Sequence, residues 1–236
     1  MGGGFIALDV PFEMAGLRGV DRDCARCSFA ILREDARVQS AVTSRFGRMG
    51  KLHTNVIGFD DAPFARDHRG DVLLVGTVCS RTRLDGIVSG HVRRDGANST
   101  KEMIRVIEAS QFSDHIQAVL LQGIAVAGFN VVDVHALHAA LGVPVVAIVR
   151  KQPDFASIRR ALDARVRGAE RKWRLIKAAG PLDPIRGILV QRVGISIDHT
   201  RELLAATTLH GNLPEPLRLA HLIAGGVTTG ASRGRA

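Results

Sequence analysis

The sequence predicts an α/β fold: a mixed sheet, with an antiparallel three-strand meander followed by parallel strands, flanked by helices. Two observations predict it. Three β-rich segments follow one another between residues 56 and 93, separated by Asp-Gly and Arg-rich turns. After them, segments with helical periodicity alternate with short apolar runs of the kind found in buried parallel strands.

The meander is predicted from β-rich runs bounded by turn residues. Its three strands are expected over residues 56–59, 71–79 and 86–93. Ser99 or Thr100 is then expected to cap a helix that runs through Gln111, with Glu102 in the first turn, where an acid stabilises the helix.

The second half of the chain alternates between the two element types. A buried strand is predicted over residues 118–121, a helix over 131–141 that ends at Gly142, a parallel-type strand over 144–149, and a long helix over 155–177. Three strands followed by helix, strand, helix, strand and helix is the order of a ribonuclease H-like sheet.

The chain is expected to divide near Met49. Residues 1–50 contain a Gly2–Gly4 run and arginines without lysine, and they are predicted to form a poorly ordered extension before a compact domain over 51–236. The domain, and with it the natural polypeptide, is expected to begin close to Met49. Cys24 and Cys27 have the spacing of zinc or redox pairs, but no second pair follows, so two small residues in a loose segment are the alternative.

Composition restricts the class of protein. A net charge of +9 and a sequence pI near 10.6 favour a polyanionic partner. No apolar run is long enough for a membrane span, the amino terminus does not resemble a signal peptide, and three cysteines cannot form a disulfide framework. A cytoplasmic protein with no membrane association is expected.

Two adjacent carboxylates, Asp60 and Asp61, end the first predicted strand. Two carboxylates about 4 Å apart repel by roughly 4 kcal/mol at an effective dielectric of about 20, so such pairs usually need a cation or a proton. Strand alternation points them to opposite faces unless the chain turns, which Pro63 makes plausible. The pair predicts a divalent-metal site that faces a phosphate, and a solvated strand end is the alternative.

The stretch 155–177 is strongly basic. Its cations are Arg159, Arg160, Arg165, Arg167, Arg171, Lys172, Arg174 and Lys177, against two acids. A solvated helix face and a surface that follows nucleic-acid phosphates both fit this pattern. Trp173 is expected to pack this helix onto the core rather than to stack on a base.

Three segments resemble endonuclease V and, most closely, its relative endonuclease dU. The first is Gly58-Phe59-Asp60, similar to the strand end that carries a metal-binding Asp. The second covers residues 121–133 and 141–151, similar to a strand, glycine-rich turn, helix and Gly-x-Pro strand that ends in lysine. The third is the carboxy-terminal segment 211–221. Together they span most of residues 51–224.

The resemblance implies a ribonuclease H-like enzyme that nicks DNA at or near a deaminated base, deoxyuridine above all, with Mg²⁺ or Mn²⁺. It implies Asp60 as the principal metal ligand and as a catalytic residue. It also places Lys151 at the end of a core strand, where its charge would act on the phosphate.

The sequence departs from the endonuclease V pattern at its other acids. Asp95, in an Asp-Gly turn, is the preferred substitute for the second acid, and a plain turn residue is the alternative. Gln122-Gly123 stands where the third acid is expected, so metal binding should be weaker. Asp133 is a further candidate ligand, although an acid in a first helical turn also stabilises the helix dipole.

Gly128-Phe129-Asn130 allows two interpretations. In the first, these residues accept a flipped base: glycine permits a close approach, Phe129 stacks and Asn130 reads a base edge. In the second, Asn130 caps the following helix and Phe129 belongs to the core.

The sequence therefore predicts a metal-dependent endonuclease for DNA with deaminated bases. A non-catalytic nucleic-acid-binding protein on the same scaffold is the alternative, to which Gln122 points. A third class, an α/β small-molecule binder, lacks a phosphate-loop or dinucleotide fingerprint.

Overall fold

The computed structural model describes residues 54–232. The strands in this range are β1 Asn55–Asp61, β2 Asp71–Ser80, β3 Arg83–Arg93, β4 Ala118–Gln122, β5 Ala125–Val126, β6 Asn130–Val131, β7 Val145–Val149, β8 Asp183–Ile185 and β9 Ile188–Val193. The helices are α1 Ser99–Glu108, α2 Val134–Leu141, α3 Phe155–Arg165, α4 Ala169–Ala178, α5 Ile197–Thr207 and α6 Glu215–Thr229. The predicted extension over residues 1–50, with Cys24, Cys27 and Met49, lies outside the described residues.

Seven strands form one mixed sheet in the order β3-β2-β1-β4-β7-β9-β8, and β5 and β6 form a separate two-stranded sheet. Strands β1, β2 and β3 are antiparallel neighbours, whereas β1, β4 and β7 are parallel. The predicted ribonuclease H-like sheet is confirmed. The final antiparallel pair, β8 and β9, was not expected from the sequence.

The two faces of the sheet carry separate hydrophobic clusters because side chains alternate along each strand. From β1, Ile57 and Phe59 enter the cluster that includes Met103 of α1 and Leu137 of α2. Val56 enters the opposite cluster, together with residues of α5 and α6. Continuous apolar runs in β4 and β7 are explained by this arrangement, since both of their faces are covered.

Helix α6 lies unusually close to β1. A Cβ added at Gly58 would be 2.6 Å from the carbonyl carbon of Pro216 and 2.8 Å from the backbone nitrogen of Leu217. The Thr77 hydroxyl of β2 donates to the Pro216 carbonyl at 2.5 Å. Glycine at position 58 therefore lets the helix rest directly on the strand.

Three predicted helices have different limits in the structure. The helix expected over 155–177 is two helices, because Gly168 takes a left-handed φ of 75° between them. Helix α1 ends at Glu108 rather than Gln111. Helix α2 begins at Val134, since Asn130–Val131 forms strand β6. Trp173 packs against Phe155, with ring centroids 6.4 Å apart, as expected of a core residue.

Within residues 54–232, none of the helices combines the length and the apolar character needed to cross a bilayer.

Candidate active site

The candidate site lies where the parallel strands β1, β4 and β7 end. In the sheet register Phe59 pairs with Leu121, and Gln122 pairs with Ile148. Asp60 therefore lies beside Gln122, one residue beyond the last β1–β4 pair. Residues at the same level of parallel strands point to the same face, so both side chains point to the face covered by α6.

Asp60 forms a partly buried pair with His221 of α6. The Asp60 side-chain oxygen Oδ2 lies 2.8 Å from Nδ1 of His221, and Asp60 is 8% exposed. Burial raises the pKa of Asp60 above its ordinary value, while the His221 hydrogen bond and charge oppose the rise. The nearby charge of Arg150, which follows β7, also opposes it. A hydrogen bond from one side and a nearby guanidinium charge thus partly offset the loss of water around this carboxylate.

Asp61 lies on the other face of β1, towards α1 and α2. Its pKa is raised to about 6, first because burial removes it from water and second because Asp60 is close. The backbone of Ala127 provides a hydrogen bond that opposes the rise. Strand β1 continues through Asp61, so no turn brings the two carboxylates to one face. Asp60 and Asp61 are neighbours that face different surroundings.

Gln122 has a polar atom without a partner. Its side-chain oxygen Oε1 is inaccessible to solvent and accepts no hydrogen bond within the described chain. A buried, unsatisfied amide oxygen costs about 1–3 kcal/mol, so in native proteins it usually indicates a ligand or a water. Its position beside Asp60 makes it a candidate ligand atom.

Asp95, the predicted second acid, is tied into the turn between β5 and β6. Its Oδ1 accepts the N–H of Phe129 at 2.8 Å, and its own N–H donates to the Ala127 carbonyl at 2.9 Å. The buried Lys172 ammonium donates to the Asp95 carbonyl. A Cβ on Gly128 would lie 2.5 Å from Oδ1, so the turn requires glycine. These contacts account for Asp95 and Gly128 without a catalytic role.

Asn130 and Asp133 have capping roles. Asn130 is fully buried; its Oδ1 accepts the N–H of Ser99, and its Nδ2 donates to the Arg93 carbonyl and to Asn98. It therefore caps the preceding helix α1, not the following one, and has no free amide edge for a base. Asp133 caps α2 by accepting the Ala136 N–H at 2.9 Å, in place of the metal role considered for it.

The remaining residues predicted for the site are Phe129, Gly123 and Lys151. Phe129 is partly buried and packs against the cluster formed by Val131, Leu162 and Ile176, so it acts as a core residue. Gly123 has a φ of 79° and open space around it. Lys151 is exposed two residues beyond the end of β7.

The oxygen atoms of Asp60 and Gln122 fit a hard cation that keeps part of its hydration shell. Within residues 54–232 no three His, Cys, Asp or Glu side chains gather into a metal site, so the acid set Asp60, Asp61 and Asp133 does not form one cluster. Asp60 and Gln122, which are neighbours across β1 and β4 and point to the same face, do provide a carboxylate and an unpartnered amide oxygen. Mg²⁺ is commonly held by one or two protein oxygens, with waters and substrate phosphates completing the shell.

Sequence reasoning missed His221 and Arg150. His221 is the last residue of the carboxy-terminal motif, so its family resemblance was a usable signal. Arg150 lies two positions beyond Ile148, directly after the end of β7, and period-two alternation would have placed it, rather than Lys151, on the Asp60 face.

Comparison with known proteins identifies the family of this chain. A family profile described as endonuclease dU matches residues 53–228. The chain belongs to the endonuclease dU family. The resemblance predicted from the three motifs is confirmed.

Relatives of this protein match more than three quarters of the chain. A UPF0215 protein of Deinococcus radiodurans is 52% identical over 77% of this chain and 93% of its own length. One from Pyrococcus horikoshii is 40% identical over 79% of this chain and 98% of its own length. The crystal structure of a protein of unknown function from Archaeoglobus fulgidus is similar at 27% identity, with a TM-score of 0.69, over 74% of this chain and 98% of that one.

Proposed function

We propose that this chain is a metal-dependent endonuclease that nicks DNA at or near deaminated bases, with deoxyuridine as the first candidate lesion. One observation carries the proposal: at the carboxyl edge of the sheet, the Asp60–His221 pair lies on the strand next to Gln122, whose buried side-chain oxygen has no partner. Family membership supports a nuclease, and the choice of deoxyuridine rests on the family description.

Asp60 and Gln122 would hold Mg²⁺ or Mn²⁺ through side-chain oxygens. When bound, such a cation activates water for attack and neutralises charge on the scissile phosphate. Arg150, whose charge already acts on Asp60, and the exposed Lys151 would attract that phosphate to the edge of the sheet.

His221 would orient Asp60 and exchange a proton. An ionised Asp60 only accepts hydrogen bonds, so Nδ1 of His221 carries the proton in their contact. The other ring nitrogen, Nε2, is then the acceptor of the neutral imidazole and the atom through which a proton would be taken from water.

Nicking of defined duplexes tests this proposal. Duplexes that contain uracil, hypoxanthine or no lesion are incubated with Mg²⁺, Mn²⁺ or EDTA, using the wild type, Asp60→Asn and the exposed-site control Asp198→Asn. We expect metal-dependent nicking of the uracil duplex that falls at least 100-fold in Asp60→Asn and stays unchanged in the control. Undiminished nicking by Asp60→Asn would refute the mechanism.

A non-catalytic nucleic-acid-binding protein is the second candidate, and the amide of Gln122 favours it because an amide brings no charge to the metal. The variant Gln122→Asp distinguishes the catalytic candidate from the non-catalytic one. If the edge is catalytic, a carboxylate there should raise Mn²⁺ affinity, measured by calorimetry, and nicking should rise or persist. Tight, salt-sensitive DNA binding without nicking in both proteins would favour the non-catalytic candidate.

A further inference from the structure

A basic cavity of about 390 Å³ lies among the loops that follow β1 and β3. Four arginines and a histidine line it: Arg66, His68, Arg69, Arg93 and Arg94. Two aspartates also line it, so cationic side chains predominate. None of these cations takes part in the Asp60 site.

The cavity opens at the same edge of the sheet as Asp60. Both β1 and β3 are antiparallel to β2, so their carboxyl ends meet at one edge. In the register Asp60 pairs with Val75, whereas Arg93 pairs with Asp71. Four residues along a strand and two strand spacings separate Asp60 from Arg93, which amounts to about 17 Å.

Arg94 is held rigidly at the wall of the cavity. Its Nη1 donates to the backbone carbonyls of Arg66 and His68, at 2.6 and 2.5 Å. Its guanidinium carbon lies 5.5 Å from the centroid of the Phe64 ring. Its other terminal nitrogen, Nη2, has no protein acceptor within residues 54–232. A guanidinium fixed in this way loses little side-chain entropy when it binds an anion.

The acids of the cavity do not neutralise it. Asp95 already accepts the Phe129 N–H through Oδ1, and its Oδ2 lies 3.4 Å from Arg94 Nε. Among residues 54–232, no carboxylate forms an ion pair with Arg66 or Arg69. Four arginines line the cavity against two aspartates, and Asp71, outside the lining, pairs with Arg93 at 3.6 Å, which leaves an excess of one positive charge in a concave site.

We propose that this cavity binds a backbone phosphate of the DNA strand, within about five nucleotides of the phosphate at Asp60. The proposal rests on the proposed function, because the strand must pass the Asp60 edge. Arginine forks match phosphate oxygens in pairs, and about 17 Å corresponds to about five nucleotides of helical rise. The phosphate would fix the register of the strand and carry no sequence information.

Binding measured without hydrolysis tests the cavity. Fluorescence anisotropy with a labelled 20-base-pair duplex in EDTA compares the wild type with Arg66→Gln/Arg69→Gln. The matched control is Arg81→Gln/Arg83→Gln, which removes the same charge at the opposite end of β2 and β3. We expect about a tenfold loss of affinity near 0.1 M salt in the cavity variant, with a salt slope smaller by about 1, and less than a twofold loss in the control.

Neutral phosphate substitutions locate the contact. Duplexes that carry one methylphosphonate at successive positions on either side of the uracil are bound by both proteins. In the wild type one position within about five nucleotides of the scissile phosphate should weaken binding, and the same position should have no effect in Arg66→Gln/Arg69→Gln. Equal sensitivity of the two proteins at every position would overturn the proposal.

Two further results would overturn it. An equal loss of affinity in the cavity variant and in the control would show that only net charge matters. Saturable binding of inorganic phosphate, measured by calorimetry and without competition against the duplex, would assign the cavity to a free anion. All binding is measured in EDTA, so the two proposals fail separately. The absence of nicking in Mg²⁺ would reject the endonuclease proposal and leave the phosphate contact in the cavity to the binding assay. Loss of the cavity effect with nicking intact would reject the phosphate contact alone.

Discussion

Replacing Gly58 by alanine should separate α6 from β1 and disable the Asp60–His221 pair. The added Cβ would lie 2.6 Å from a backbone carbon of Pro216, whereas ordinary contacts begin at 3.4 Å. The helix must therefore move by about 0.8 Å, because backbone atoms in a packed core cannot yield locally. The 2.8 Å contact between His221 and Asp60 would lengthen to about 3.6 Å, beyond hydrogen-bonding range.

Two assays measure the consequences of Gly58→Ala. Urea unfolding should show a loss of about 2 kcal/mol, the usual cost of overpacking. The kcat/KM for nicking should fall roughly 10- to 100-fold, because a hydrogen bond to a charged group contributes about 1.5–3 kcal/mol. Thr77, which bonds the Pro216 carbonyl, would be displaced from its partner as well.

Gly225→Ala on the same helix is the matched control. There the nearest atom to an added Cβ is Ser232 Cα at 3.8 Å, so the methyl group makes only an ordinary van der Waals contact. Alanine should raise the free energy of unfolding by up to about 1 kcal/mol and leave nicking unchanged. If Gly58→Ala is as stable and active as the wild type, the close approach of α6 does not position His221 and the reasoning is wrong.

Two other predictions concern Asp61 and Asn130. The folded-state pKa of Asp61, about 6, lies above its ordinary 3.8, so its contribution to stability is present below pH 3.8 and is lost as the pH rises through 6. In EDTA, the free energy of unfolding of Asp61→Asn relative to the wild type should therefore grow by about 2 kcal/mol between pH 4.5 and 7.5, as measured by urea unfolding. The exposed Asp67→Asn is the control, and the same growth in that variant would contradict the prediction. Asn130→Ala should lower the free energy of unfolding by about 2–4 kcal/mol, because it leaves the Ser99 N–H and other buried groups unpaired. The preference for a uracil duplex over an undamaged duplex should persist. An unchanged stability with a lost preference would instead make Asn130 a base reader; exposed Asn212→Ala is the control.

Local sequence patterns determined the order of elements and the type of each strand pairing in the first part of the sheet. Turn residues delimit the meander, and the apolar runs of β4 and β7 identify strands covered on both faces. Helix limits were less predictable. The break at Gly168 separates α3 from α4, although the periodicity on either side continues the helical pattern.

For the candidate site, the sequence by itself determined Asp60, because it ends a strand and resembles a family motif, and Gln122, because it stands where an acid is expected. Only the tertiary structure decided their partners. His221 lies 161 residues from Asp60 along the chain and reaches it because Gly58 admits α6 onto β1. Asn130, whose spacing favoured a cap for the next helix, caps the previous one across the fold. Propensity and periodicity act within a few residues, whereas hydrogen bonds between distant segments depend on how the elements pack.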